Sequence, residues 1–276
     1  MALVIGAGFL MQSYGIKRGI DFTGGSVIDI TYEKETPVLD AKTFEDAGMT
    51  LYKTGDNTYR FVSVKTYEEI GALITSLGNV NNATPFVFTQ VSTVGPTLGS
   101  EMTKKAVIAI IVVVFAILAF IAFSFREVSL PVQSWKYGII AMVTLLHDII
   151  VPTGVYVILS HKYGAEVDTL FVIALLTIIG ISISDKIVVF DRIRENLKNS
   201  GKKSSFDEIV GMSLMQTFTR SINTSVTVIL ALLALYFFGP VTTKWFTVTL
   251  IVGMFVGTYS SIFVASPLLT VWNKGK

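Results

Sequence analysis

The chain has 276 residues, 51% of them hydrophobic and only 15% charged, with a mean hydropathy of +0.63. That balance excludes a water-soluble globule for the whole molecule and marks an integral membrane protein. A formal charge of +2 is too small to suggest nucleic-acid binding, and the absence of cysteine rules out a disulfide framework or a thiolate metal site.

Taken from the front, Ala2–Tyr14 is apolar and rich in small residues, but it supplies only roughly 20 Å of helix against a hydrocarbon core of about 30 Å. It is read as the outer part of a first transmembrane helix, residues 1–16, truncated at its front. No basic segment precedes it and no small-residue cleavage pattern follows before Lys17 and Arg18, which argues against a signal-peptide core.

Between Gly19 and Lys105 the sequence turns mixed and polar. Alternating patterns at Ser26–Thr31, Tyr59–Val64 and Phe86–Val91 predict strands, with helical patterns around Lys42–Ala47 and over Tyr67–Leu77. The order strand, helix, strands, helix, strand predicts a small α+β domain outside the bilayer, residues 17–105, of the ferredoxin-like split βαβ type. Its sheet edge is a place where another chain's strand can add. Asp21, Gly24 and Gly25 ahead of the first strand, and Gly95 and Pro96 after the last, are assigned structural work, because a glycine pair before a strand serves a turn.

Residues 106–276 hold the remaining spans. Ala106–Phe123, Tyr137–Leu159, Leu170–Phe190 and Phe246–Val271 approach or reach the about 20 apolar residues a crossing requires. Ile222–Phe238 reaches it if Arg220 also lies within the membrane. With the partial first helix these make six. The loop 191–217 carries Arg192, Arg194, Lys198, Lys202 and Lys203, whereas the loops around His161–Asp168 and Gly239–Lys244 carry one Lys each. By the positive-inside rule the 191–217 loop and both termini face the cytoplasm, and residues 17–105 lie on the external, periplasmic side of the cytoplasmic membrane. Arg126 and Lys136 agree, and Lys104 and Lys105 run against the rule. Trp135, Trp245 and Trp272 fall at predicted helix ends, the last two separated by about 40 Å of helix.

Charges inside these spans are expensive and carry the functional signal. They are Asp148, preceded by His147, Asp185, followed by Lys186, and Arg220. Gln216, Arg220, Asn223, Thr224 and Thr227 share one helical face. Arg220 is a fixed positive charge in need of a partner, and Asp185 is the carboxylate of matching depth. Two accounts stay open from spacing: the pair exchanges a proton with a water cavity, as a relay requires, or it is a static ion pair or a snorkelling Arg. Asp148 lies mid-span, and Pro152 has no N–H for its carbonyl, so the helix is expected to open or kink there. His147 adds a neighbour that titrates near neutral pH. A metal on His147 and Asp148 is weakly signalled, since adjacent helical residues diverge by about 100° and no second ligand cluster follows. No cofactor is expected. Lys186 is read as snorkelling to the cytoplasmic interface, so the candidate polar network is His147, Asp148, Lys186, Asn223 and Thr224. Gly253 and Gly257 form a small-xxx-small face suited to close packing.

Five ordered motifs carry a resemblance along the whole sequence. They are Gly19-Ile20-Asp21-Phe22-Thr23-Gly24-Gly25, Val94-Gly95-Pro96 with Leu98-Gly99, His147-Asp148, the block Gly180 to Glu195 ending in Phe190-Asp191-Arg192-Ile193-Arg194-Glu195, and Arg220-Ser221-Ile222-Asn223-Thr224-Ser225. Together they resemble the SecF family, the smaller membrane subunits of a bacterial protein-export accessory complex in the resistance-nodulation-division superfamily. The resemblance implies six helices, one external ferredoxin-like domain, and assembly with SecD into a twelve-helix unit beside the SecYEG channel, with YajC as a further partner. It also implies proton-driven pulling of unfolded preproteins late in translocation, with protons as the only coupling ion. Proton-transfer roles fall on Asp185 and Arg220, with a further carboxylate supplied by SecD. The sequence departs from the family at Ser184-Asp185-Lys186, where Asn-Asp-Thr is usual: either Lys186 snorkels away, or proton coupling differs here.

The rival readings are weaker. A small-molecule or lipid exporter of the same superfamily needs a substrate cavity in the external domain, which is small for one. A non-transporting scaffold of the translocon explains the packing glycines but not three buried charges. An enzyme is not expected, because no Ser–His or paired-carboxylate arrangement is spaced for intramembrane hydrolysis.

Overall fold

The structure, a computed structural model, describes residues 2–15, 17–33, 39–55, 57–77, 86–124, 134–200 and 205–273. In chain order its elements begin with helix α1 (Ala2–Tyr14), the single turn α2 (Ile20–Thr23), strand β1 (Gly25–Tyr32), α3 (Ala41–Asp46), β2 (Thr50–Lys53), β3 (Thr58–Ser63), α4 (Tyr67–Leu77) and β4 (Phe86–Val94). Long helices follow: α5 (Pro96–Ser124), α6 (Ser134–Tyr163), α7 (Thr169–Ser200), α8 (Phe206–Phe238) and α9 (Lys244–Ser260), which runs through a π-helical turn, Ser261–Ala265, into α10 (Ser266–Asn273). Contacts divide the chain into two units, Ile16–Ile108 with Leu159–Thr169, and Met1–Gly15 with Ala109–Ile158 and Leu170–Lys276. The sequence reading counts Leu159–Thr169 with the membrane part.

In the smaller unit the strands form one sheet in the order β2-β3-β1-β4, each neighbour antiparallel. Alternation along β3 sends Tyr59, Phe61 and Ser63 inward and leaves Arg60 and Val62 at the other face, the period of two expected of a strand. Phe61 meets Ile28 and Ile30 of β1, Phe44 of α3 and Ile70 and Ile74 of α4 in one apolar core. On the opposite face Arg60 stands directly across from Asp29, donating Nε and Nη2 to its two carboxylate oxygens, each at 2.8 Å. Four-residue β2 is too short to give a strand pattern of its own and is secured by pairing with β3.

The glycine pair has a steric reason. Gly24 and Gly25 have φ of 74° and 127°, and a Cβ on Gly25 would lie 2.3 Å from the Ser63 carbonyl oxygen. Pro96 opens α5, where its missing N–H costs nothing. Asp21 does more than turn the chain, for its Oδ2 accepts the backbone N–H of Thr169 at 2.9 Å and so caps the start of α7. The segment between α6 and α7 is stitched alongside. Val167 donates its N–H to the Lys17 carbonyl at 2.9 Å and accepts that of Gly19 at 2.8 Å. Tyr52 donates to Glu166 at 3.3 Å.

Among the described residues, five helices are long and apolar enough to cross a membrane: Pro96–Ile121, Trp135–Tyr163, Thr169–Asn199, Phe206–Phe238 and Val241–Asn273. Several outrun the apolar stretches that predict them, because polar residues continue the helical turn beyond the greasy part. Helix α7 runs ten residues past Phe190 to Ser200, and α8 starts at a capping box in which Ser205 and Glu208 bond each other's backbone N–H. Ile140, Tyr137, Ile183, Phe190, Ile193 and Leu269 form an apolar core joining α6, α7 and α10. Glycine allows closer approach elsewhere: a Cβ on Gly253 would sit 2.2 Å from Ile178 Cδ1, and one on Gly154 would sit 2.4 Å from Ala7 Cβ. Trp135 and Trp272 meet edge to face at 5.6 Å, and Lys136 beside them reaches the Trp272 carbonyl. Arg126, Lys202 and Lys203, used above for orientation, lie outside the described residues.

Candidate functional site

The polar site of the larger unit is built on α6, α7 and the last helix. Asp148 on α6 has a side chain with no exposed surface, and so does Lys186 on α7. A carboxylate and an ammonium taken out of water each carry a desolvation cost of several kcal/mol, which only good geometry offsets. The geometry is good. Lys186 Nζ donates to Asp148 Oδ2 at 2.5 Å and to Ser182 Oγ at 2.5 Å. The same carboxylate oxygen accepts Ser260 Oγ–H at 2.8 Å and the hydroxyl of Ser182, while Oδ1 lies 3.0 Å from His147 Nδ1. Four side chains from three helices thus surround one buried carboxylate. Lys186 therefore does not snorkel, as the sequence reading expects: a carboxylate on the neighbouring helix is closer than the interface and cancels its charge.

One position earlier on α7, Asp185 faces a different neighbourhood. Its Oδ1 accepts Ser221 Oγ–H of α8 at 2.5 Å, and its Oδ2 accepts the hydroxyl of Ser261. Both oxygens are thereby held by neutral donors. Asp185 also lines a cavity of about 350 Å³ between α7, α8 and α9, whose wall includes Ser182, Arg220, Thr224, Gly253 and Gly257. Arg220 and Asp185 share that wall without forming a direct ion pair, and among the described residues Arg220 has no ion-pair partner. A second cavity of about 300 Å³ also has Arg220 in its wall, together with Asp191, Arg192, Glu195 and Gln216. Arg220 therefore borders both the space beside Asp185 and the space beside the polar end of α7.

The structure brings His147, Asp148 and Lys186 into one hydrogen-bonded cluster. It leaves Asn223 and Thr224 outside it, on the exposed face of α8. Among the described residues no group of three or more His, Asp or Glu gathers as metal ligands would. The residues that sequence reasoning misses are the serines: among the described residues Ser182, Ser221, Ser260 and Ser261 supply the hydroxyl donors to the two carboxylates. A serine in a transmembrane helix reads as a small packing residue, and only the adjacent Ser260-Ser261 step in an apolar span hints at more.

Helices of membrane length that bury a carboxyl and an amine against each other, with a small antiparallel sheet unit in the same chain, define an integral membrane protein whose buried charges are organised rather than incidental. Comparison with known proteins narrows the class. Residues 75–275 match the model of the family described as protein export membrane protein SecD/SecF, C-terminal, and residues 13–36 match the SecD/SecF GG motif. The protein translocase subunit SecF of Thermobaculum terrenum is 40% identical, over 99% of this chain and 90% of its own. The protein translocase subunit SecDF of Bacillus subtilis is 34% identical over 99% of this chain and 36% of its own. Among solved structures, that of SecDF from Thermus thermophilus, a translocon-associated membrane protein, superposes with a TM-score of 0.83 at 30% identity, covering 100% of this chain and 37% of that one. This chain spans about a third of the length of those two SecDF chains. It belongs to the SecD/SecF family of protein-export membrane proteins, and its relatives' names place it in an accessory role in Sec protein export.

Proposed function

We propose that this chain works with a SecD partner to draw on the proton-motive force during the late stage of preprotein translocation. One observation carries the reading. Among the described residues Asp185 is held by hydroxyls at the wall of a cavity it shares with Arg220, while the neighbouring positive charge of Lys186 is spent on Asp148. A carboxylate so placed can take up or release a proton through the cavity, with a guanidinium on the same wall to answer its charge. The Asn-Asp-Thr departure is thereby accommodated: the extra cation is cancelled locally by Asp148, and Asp185 keeps the relay role.

In the cycle we infer, ionised Asp185 attracts Arg220 across the cavity, and protonation removes that attraction and lets α7 and α8 repack. The second cavity, at the polar end of α7, is the route by which water would reach Arg220 in this cycle. A proton moving down the membrane potential supplies about 2.3 kcal/mol per 100 mV, so a long polypeptide requires repeated cycles.

The partnership with SecD is supported by the relative in which the matching segment is part of one SecDF chain. SecYEG, YajC and the unfolded preprotein are the further contacts of this reading, and membrane lipid surrounds the helices. The βαββαβ order with antiparallel strands in the order β2-β3-β1-β4 supports a ferredoxin-like external domain, and α1 added to the five long helices supports a six-helix chain in the cytoplasmic membrane with both termini on the cytoplasmic side.

The test is export into inside-out vesicles containing this chain and its SecD partner, with and without a proton gradient. Asp185→Asn and Arg220→Ala are expected to abolish the gradient-dependent part and spare the rest. If both variants retain it, the charges are structural and the scaffold reading takes over.

A further inference from the structure

Consecutive residues of a regular α-helix point about 100° apart, so one helix seldom serves two separate groups with adjacent side chains. The last helix does so. Ser260 donates to Asp148 at 2.8 Å, and Ser261 donates to Asp185. The change of target coincides with a change of helix, since Ser261 is the first residue of the π turn Ser261–Ala265. Ser266 closes that turn, its hydroxyl donating to the Ser261 carbonyl five residues back at 3.1 Å. A π turn is a rare, locally strained form that concentrates at functional sites. Ser261 Oγ also lies 2.9 Å from the carbonyl of Thr258, so an alternative acceptor stands ready within its own helix.

We propose that Ser261 is a positioning residue for Asp185 and that the π turn is the element through which the protonation state of Asp185 reaches the last helix. This rests on the relay reading of Asp185. While Asp185 is ionised, its two oxygens accept Ser221 and Ser261 and hold the turn open. On protonation one oxygen becomes a donor, a hydroxyl must turn away, and Ser261 falls back on the Thr258 carbonyl, which frees the π turn from α7. Ser260 meanwhile keeps the preceding turn tied to the Asp148–Lys186 pair, whose charge does not change in this step. The charged groups around Asp185 are Arg220 from α8 across the cavity, Lys186 on α7, and Asp148 with His147 on α6 beyond Lys186. The last helix contributes none, for the sequence from Trp245 to Asn273 has no charged residue and Tyr259 is its one weak acid.

The experiment is the pH profile of gradient-driven export in vesicles holding this chain with its SecD partner, for wild type, Ser261→Ala, Ser261→Thr, Ser266→Ala and Asp185→Asn. Removing a hydroxyl donor disfavours the ionised carboxylate, so Ser261→Ala is expected to move the half-maximal pH upward by about one unit, the scale of one hydrogen bond to a charged group. Ser261→Thr should restore the profile, and Ser266→Ala should move it the same way by less. Profiles for Ser261→Ala and Ser266→Ala that overlie wild type, with Asp185→Asn inactive, would overturn the role of the π turn and leave the relay reading intact. Gradient-driven export that survives Asp185→Asn would remove both.

Discussion

The two units of the chain sort polar and apolar groups in opposite senses. In the sheet unit the core is Ile28, Ile30, Phe61, Ile70 and Ile74, and the Arg60–Asp29 pair lies on the other face of the sheet, partly open to water, with 25% and 10% of its side chains exposed. In the helical unit Phe115 and Phe238 are 68% and 91% exposed, whereas Asp148, Lys186 and five or more serines are buried. Water-facing folding hides apolar area, and membrane folding has no such drive, so packing and polar contacts must hold the helices together. The lesson is that an ion pair of similar length carries different weight in each unit. On the sheet the Arg60 end still meets water. Within the helices neither Asp148 nor Lys186 exposes any side-chain surface to water that could replace a lost ionic partner.

The sharpest way to break this comparison is to strip one partner from the buried pair. Lys186→Met, close in volume, leaves the buried Asp148 carboxyl without its lysine and is expected to cost about 3–5 kcal/mol, read as a large fall in thermal stability of the purified protein. The double variant Asp148→Asn with Lys186→Met should recover most of it. A single variant as stable as wild type would contradict the burial argument. The matched change in the sheet unit, Arg60→Met, removes a bidentate but partly exposed pair and is expected to cost about 1 kcal/mol or less in the same assay.

The smallest effect is a pH dependence at Glu166. Burial holds its carboxyl above the ordinary value, against the pull of the Tyr52 hydroxyl and of Arg60. The native state therefore grips this proton more tightly than the unfolded chain. Its contribution to stability is full below the ordinary carboxylate range and is lost as pH rises through that range to the raised native value. Glu166→Gln keeps an acceptor for Tyr52 and abolishes that loss. The stability of the variant relative to wild type should rise as pH climbs from the ordinary carboxylate range and level off once the wild-type Glu166 has ionised.

Much of this was legible before any coordinates. The five apolar stretches named their helices, and the alternation of Tyr59 to Ser63 and the glycine pair announced the sheet unit, because each depends on local pattern and local sterics. Helix ends were less so: Pro96 and Ser205 begin their helices well outside the apolar stretches, where capping rather than hydropathy decides. The site was half visible. Asp148, Asp185, Lys186 and Arg220 stand out as costly charges, but which cation meets which carboxylate depends on how helices face one another. Depth alone suggested Arg220 for Asp185, and the facing of α6 and α7 gave Lys186 to Asp148 instead. The serines were invisible because a hydroxyl can always bond its own helix, and only tertiary placement shows that Ser260 and Ser261 reach further.

We propose that the two carboxylates of the helical unit divide the labour, buried Asp148 holding helices together and half-buried Asp185 exchanging the proton. Gradient-driven export in vesicles decides it by comparing Asp185→Asn with the charge-free double variant Asp148→Asn, Lys186→Met. The account predicts that Asp185→Asn loses the gradient-dependent component and that the double variant retains a substantial part of it. Loss in the double variant with retention in Asp185→Asn would assign the proton to Asp148 and contradict the account.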